Sequence, residues 1–270
     1  MARSTASVDA PAQATLPAIE LYGVRLHALT EAQCVEHVVR ELDAGRGGWV
    51  VTPNLDHLRR LVREREFAEL CAGADLVVPD GMPLVWAARV QGTPLSERVA
   101  GSNLIWSLSA ACARTGRSAY FLGGDEGTAE RAAAVLAERY PGFRCAGTRR
   151  PPFGFEDDPA EMAAIVDALV RAEPAVVFVA LGSPKQERLI RALRSHLPHA
   201  WWLGIGISFS FVAGTVRRAP PWVQKLGLEW LHRLVQEPRR LARRYLVQGL
   251  PFAAVLFARA AWRRVRGRGA

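Results

Sequence analysis

From Ile19 onward the chain alternates short, uninterrupted apolar runs with longer stretches in which apolar residues return every three or four positions. Five runs read as buried strands: 48–54 (GWVVTPN), 74–81 (ADLVVPDG), 118–124 (SAYFLGG), 175–184 (AVVFVALGSP) and 200–209 (AWWLGIGISF). Between or before them, EAQCVEHVVRELDAG, LDHLRRLVREREFAELCAGA, TAERAAAVLAERYPG and DPAEMAAIVDALVRAEP carry the helical period. Strands that are apolar on every residue are covered on both faces, which is the habit of parallel sheets with helices on either side. The pattern predicts a doubly wound, Rossmann-like α/β domain over residues 19–213. Residues 1–18 are rich in Ala, Ser, Thr and Pro and hold no continuous apolar stretch of the kind a signal peptide needs, so a disordered tail is expected there.

After Ala213 the pattern changes, and charge explains how. The 270-residue chain carries a formal +9, yet residues 214–270 alone hold thirteen Arg or Lys against Glu229 and Glu237. The whole positive excess therefore belongs to a C-terminal appendage, interspersed with Trp222, Trp230, Tyr245 and Trp262. Its longest apolar stretch, 245–262, is broken by Gln248, Gly249, Pro251 and Arg259, and is expected to fall short of a spanning helix. A basic, amphipathic helical segment of this kind suits an anionic membrane surface. The expected location is cytoplasmic, attached peripherally to the inner face of the cell membrane. Cys34, Cys71, Cys112 and Cys145 are widely spaced with no C-x-x-C pair, which fits reduced, mostly buried thiols. A chain that is 50% hydrophobic and of this length builds its own core without disulfides.

In an open parallel sheet the chemistry gathers beyond the carboxyl ends of the strands. Here those positions are polar: Thr52 and Asn54, Asp80 and Gly81, Gly123 and Gly124, then Ser183, Lys185, Gln186 and Glu187. Each group alone could be a turn or a helix cap; four on one rim favour a ligand cleft. The segment FLGGDEGTAERAAAV has the strand–glycine turn–helix form that admits a phosphate, although Asp125 and Glu126 would repel one unless engaged as caps. GIGISF lacks the third glycine of a dinucleotide fingerprint, which argues against a nucleotide-dependent oxidoreductase. No Walker lysine, D-x-D or H-x-x-x-H pattern occurs, so neither a cofactor nor a metal is expected. Asp80, shielded by apolar neighbours, is the candidate general base, with helix capping as the alternative. Arg98 is placed to neutralise a phosphate or a sugar acid, or to form a surface ion pair. A nucleic-acid partner is not expected, because the Trp, Leu and Phe content of the basic tail suits lipid better than a phosphate backbone.

The motifs TPNLDHL, VVPDGMPLVW, ERVAGSNL, FLGG, LGSPKQE and AGTVRRAPPWVQKLGLEWLHRLVQEPRRLARRYL occur in the order seen in the WecG/TagA/CpsF family of bacterial glycosyltransferases, and the chain resembles that family from about residue 21 to 246. The resemblance implies an inverting, metal-independent transferase of cell-envelope polysaccharide assembly. It would move an N-acetylmannosamine-type sugar, or a related hexose, from a UDP-sugar donor to a polyprenyl-diphosphate-linked acceptor. It implies Asp80 as the catalytic base, with Thr52 and Asn54 lining the substrate pocket and Arg98 and Gln186 at substrate. It also implies that the appendage closes over the cleft and contributes Arg233, Arg240 and Arg243. One position departs: many members carry an acid, associated with the nucleotide end of the donor site, where this chain has Ser210. A homo-oligomer, and closure of the appendage within or between chains, are left open.

Overall fold

The computed structural model describes residues 16–267, so most of the expected N-terminal tail lies outside the described residues. Strands β1 (Ala18–Leu21) and β2 (Val24–His27) form a separate antiparallel hairpin. Its two-residue turn places both Tyr22 and Gly23 at positive φ, the conformation that matches the twist of paired strands.

The main sheet contains β3 (Gly48–Val51), β4 (Leu76–Val77), β5 (Ser118–Gly123), β6 (Arg144–Arg149), β7 (Val176–Ala180) and β8 (Trp201–Gly204). All six are parallel, in the spatial order β4-β3-β8-β7-β5-β6. The five apolar runs supply β3, β4, β5, β7 and β8. The sixth strand, RCAGTR, was not legible as one: it is an edge strand with largely unburied side chains, so it needs no apolar run.

Successive residues of each central strand serve opposite faces. Val50, Phe121, Phe178 and Leu203 enter one core with the helices Glu31–Asp43, Gly101–Thr115 and Thr128–Arg139. Trp49, Val51, Leu122, Val177 and Trp202 enter the other, with the helices Arg65–Cys71, Pro159–Ala172 and Lys185–Leu193. Burial on both sides is why the strand sequences show no polar alternation. Local signals set the helix starts: Thr30 and Gln33 form a reciprocal capping box, and Asp158 caps Ala160 and Glu161 ahead of Pro159. Cys34, Cys71 and Cys112 are buried, Cys145 is exposed, and all four are free.

The appendage is helical. A short turn of helix (Pro221–Lys225) and the helix Glu229–Gln236 lead into one continuous helix, Pro238–Arg266, with a π-helical segment Arg243–Gly249 in its course. By length and composition this 29-residue helix is apolar enough to cross a membrane, which revises the expectation that the segment falls short. The reason is that Gln248 and Gly249 are accommodated in the π segment and Pro251 falls within the first turn of the helix Leu250–Arg266, so none of them ends the helix. Its inner face is nevertheless committed to protein. Phe252, Leu256 and Ala260 bury themselves with Leu84, Ala87 and Ala88 of the helix Met82–Gln91 and with Leu21 and Leu26 of the hairpin. The appendage thus packs against its own domain through a third, smaller core.

Candidate active site

The carboxyl ends of β4, β3 and β8 converge, and loop hydrogen bonds hold them together. The Asp80 N–H donates to the Pro53 carbonyl at 2.9 Å, tying the end of β4 to the end of β3. The Val99 N–H donates to the Pro79 carbonyl at 2.8 Å, bringing the segment before the helix Gly101–Thr115 over the same loop. The backbone N–H of Gly101, the first residue of that helix, lies near enough to the Asp80 carboxylate to favour its ionised form. Gly101 also abuts Thr52 and the Gly204 carbonyl, since a Cβ there would lie 3.4 Å from Thr52 Oγ1 and 3.5 Å from that oxygen. Thr52 and Gln186, both buried, line a narrow cleft between β3 and β8 together with His57, Glu187 and Gly204.

Gln186 is fixed at both ends of its amide. Its Oε1 accepts from the Gly206 N–H at 3.1 Å, and its Nε2 donates to Glu187 Oε1 at 3.0 Å. Asn54 has a local duty: its Oδ1 accepts from the backbone N–H groups of Asp56 and His57 at 3.0 and 3.1 Å, capping the helix Leu55–Arg63.

Asp80 is partly buried at this junction. Burial pushes its carboxyl up to about 6, with Glu229 adding to the rise and with Arg98, Arg218 and the Gly101 N–H opposing it. Arg98 Nη1 donates to Glu229 Oε2 at 2.7 Å, and Arg218 Nε donates to Glu229 Oε1 at 3.2 Å. Burial alone would raise the Glu229 carboxyl, but the two guanidiniums outweigh it and hold the group below the ordinary value. A carboxylate of raised basicity beside two guanidiniums can take a proton from one oxygen while cationic groups stabilise charge on another.

The sequence profile described as "Glycosyl transferase WecG/TagA/CpsF family" matches residues 19–266. The chain belongs to the WecG/TagA/CpsF glycosyltransferase family. It is 31% identical, over 202 residues, to the N-acetylglucosaminyldiphosphoundecaprenol N-acetyl-beta-D-mannosaminyltransferase of Bacillus spizizenii, covering 75% of this chain and 76% of that protein. The enzyme of the same name from Bacillus subtilis is 28% identical over 202 residues, with 75% of this chain and 77% of that one covered. A solved mutant of arylmalonate decarboxylase overlaps 71% of this chain and 77% of its own at 17% identity and a TM-score of 0.25, too low to bear on the fold.

For a glycosyltransferase of this family, the structure gathers Asp80, Thr52, Gln186 and Arg98 around one junction and puts other candidates elsewhere. Gly123 ends β5 and Gly124 follows it, farther along the rim. Both have positive φ, and an added Cβ would lie 2.7 Å from the Ala180 carbonyl or from Thr128 Oγ1, so close strand and helix packing accounts for both glycines. Arg233 and Arg240 pair with Glu237 within the appendage, at 3.9 and 2.5 Å, and Arg243 is exposed. The arginines whose charges bear on Asp80 are instead Arg98 and Arg218. Lys185 pairs with Glu156 at 2.5 Å and lies against Phe153 and Phe155, and Ser183 accepts from Arg60 at 3.1 Å.

Ser210 is buried, and its hydroxyl donates to Asp125 Oδ2 at 3.0 Å. Asp125, from the turn after β5, therefore places a carboxylate beside the side chain at position 210. Sequence reasoning missed Arg218, Glu229 and His57. All three stand inside quoted motifs, but nothing in the spacing of Arg218 and Glu229 says that their charges bear on Asp80. His57 is partly buried beside Glu187 with both ring nitrogens buried and unpartnered, and burial lowers its imidazole toward the neutral form. Among the described residues, no group of three or more His, Cys, Asp or Glu side chains is arranged to hold a metal ion. A cavity of about 210 Å³ is lined by Tyr22, Gln91, Arg259, Trp262 and Arg263 at the hairpin and C-terminal helix, and shares no residue with the junction around Asp80.

Proposed function

We propose that this glycosyltransferase moves an N-acetylmannosamine-type sugar from UDP to a polyprenyl-diphosphate-linked N-acetylglucosamine acceptor, with inversion and without a metal. The observation that carries the reading is Asp80: a base of raised pKa at the ends of β3 and β4, with Arg98, Arg218 and the Gly101 N–H near enough to influence it. The two bacilli enzymes named above, by their names, act on such an acceptor with such a sugar. Asp80 accepts the proton of the acceptor hydroxyl as that oxygen bonds to the anomeric carbon. The bond from that carbon to the diphosphate oxygen breaks on the opposite face, and UDP departs with the electron pair. Guanidiniums and backbone N–H groups stabilise the charge that develops on it. Thr52 and Gln186 line the cleft and orient the sugars.

The reaction takes place on the inner face of the membrane, with the appendage lying in the headgroup region. Trp222, Leu226, Leu231, Val235, Val247 and Leu250 are exposed apolar side chains on an appendage rich in arginine, the combination that favours an anionic lipid surface.

The test is UDP release from a panel of UDP-sugars with a short polyprenyl-diphosphate-linked acceptor, for wild type and Asp80→Asn, with and without EDTA. Acceptor-dependent release that survives EDTA and collapses in the variant is the expected result. Loss of turnover in EDTA would overturn the metal-independent reading, and full activity in Asp80→Asn would overturn the role of Asp80.

A further inference from the structure

Glu229 is an appendage carboxylate held between two guanidiniums of different origin. Arg98 comes from the segment leading into the helix Gly101–Thr115, and Arg218 from the segment that joins domain to appendage. With the contacts of 2.7 and 3.2 Å, none of the three side chains is more than 20% exposed. Arg218 is also anchored independently of Glu229: its Nη1 donates to Asn103 Oδ1 at 2.8 Å and to the Ser102 carbonyl at 3.5 Å. Its Nη2 is buried and has no partner.

The seat therefore offers more than its occupant uses. Two guanidiniums, one with an unused N–H group, face a single carboxylate beside the start of a 15-residue helix. Guanidinium forks and helix starts both recognise phosphate oxygens. A diphosphate carries more charge and more acceptor oxygens than one carboxylate, and it must depart from a carbon close to the base, Asp80.

We propose that Arg218, with Arg98, is the seat of the donor's diphosphate, and that Glu229 occupies this seat as an internal stand-in that the diphosphate displaces. The proposal rests on the reading of the donor as a nucleoside diphosphate sugar. Because Glu229 opens the helix Glu229–Gln236, the exchange also loosens the appendage from the domain when donor binds. A purely structural tether makes the opposite prediction, since removing its charge would disorder the site and weaken binding.

The experiment is calorimetric binding of UDP, inorganic diphosphate and uridine to the full chain, as wild type, Glu229→Gln, Arg218→Lys and Arg218→Ala, with thermal melts to establish folding. Losing a competing charged hydrogen-bond partner is worth about tenfold in affinity. Glu229→Gln should bind UDP and diphosphate about that much more tightly, with uridine unchanged. Arg218→Ala should weaken UDP by about tenfold or more, and Arg218→Lys by less. If Arg218→Ala does not fold, Glu229→Gln and Arg218→Lys carry the test. UDP binding that is unchanged or weaker in Glu229→Gln overturns the proposal while leaving the donor reading intact. If no protein in the set binds UDP or diphosphate, the donor reading falls, and the proposal with it.

Discussion

Gln186 fills the space that any side chain at position 204 would need: a Cβ on Gly204 would lie 2.6 Å from Gln186 Nε2 and 2.8 Å from its Cδ. Gln186 cannot simply swing away, because it is buried and bonded to Gly206 and Glu187. Gly204→Ala should therefore cost about 1–3 kcal/mol of stability by overpacking. Turnover should fall further than stability does, because the amide at the cleft is displaced. Urea melts beside steady-state assays check this, and a variant with wild-type turnover would remove Gln186 from the site.

Asp80 links pH to both rate and stability, with opposite signs. As a base it must be ionised, so kcat/KM should fall as pH drops through about 6, the value to which burial raises it. For folding, a carboxyl whose pKa is raised above its unfolded value stabilises the fold when protonated. That contribution is complete below about 3.8 and is lost as pH rises through about 6. Asp80→Asn, which mimics the neutral form, should be inactive yet more stable at pH 8, by at most about 3 kcal/mol. The gain should shrink toward pH 5. Melts of both proteins across that range test the sign, and a variant less stable at pH 8 would refute it.

Asn54 serves both as a helix cap and as a candidate substrate residue, and the two roles separate by substitution. Asn54→Ala removes the acceptor for Asp56 and His57 and should cost about 0.5–2 kcal/mol, whereas Asn54→Asp keeps the cap. If the aspartate variant retains stability but loses turnover, the carboxamide acts on substrate as well. If it retains both, capping is its whole contribution.

Leu246, Val247 and Leu250 lie exposed and close together on the long C-terminal helix. Changing all three to Ser should shift stability by no more than about 0.5 kcal/mol each while reducing co-sedimentation with anionic vesicles several-fold. Unchanged sedimentation would count against this face as the one that meets lipid.

How much was legible in the sequence depended on whether the determining physics was local. The buried strands announced themselves because residues such as Val50, Phe121, Val177 and Trp202 are covered on whichever face they point to, leaving uninterrupted apolar text. The polar residues just beyond β3, β4 and β7 followed from where an open parallel sheet places its loops, and Thr52, Asp80 and Gln186 do meet there. The charge excess of the appendage was a matter of composition alone. The tertiary structure decided what composition and spacing do not encode. β6 is a strand because a neighbour offers it backbone hydrogen bonds, and its own side chains did not require it. Asp125 supplies the carboxylate beside Ser210 from 85 residues away, and Glu229 reaches Arg98 across 131. Such partners are chosen by the closing of the chain on itself, where burial strengthens an interaction that no local pattern records.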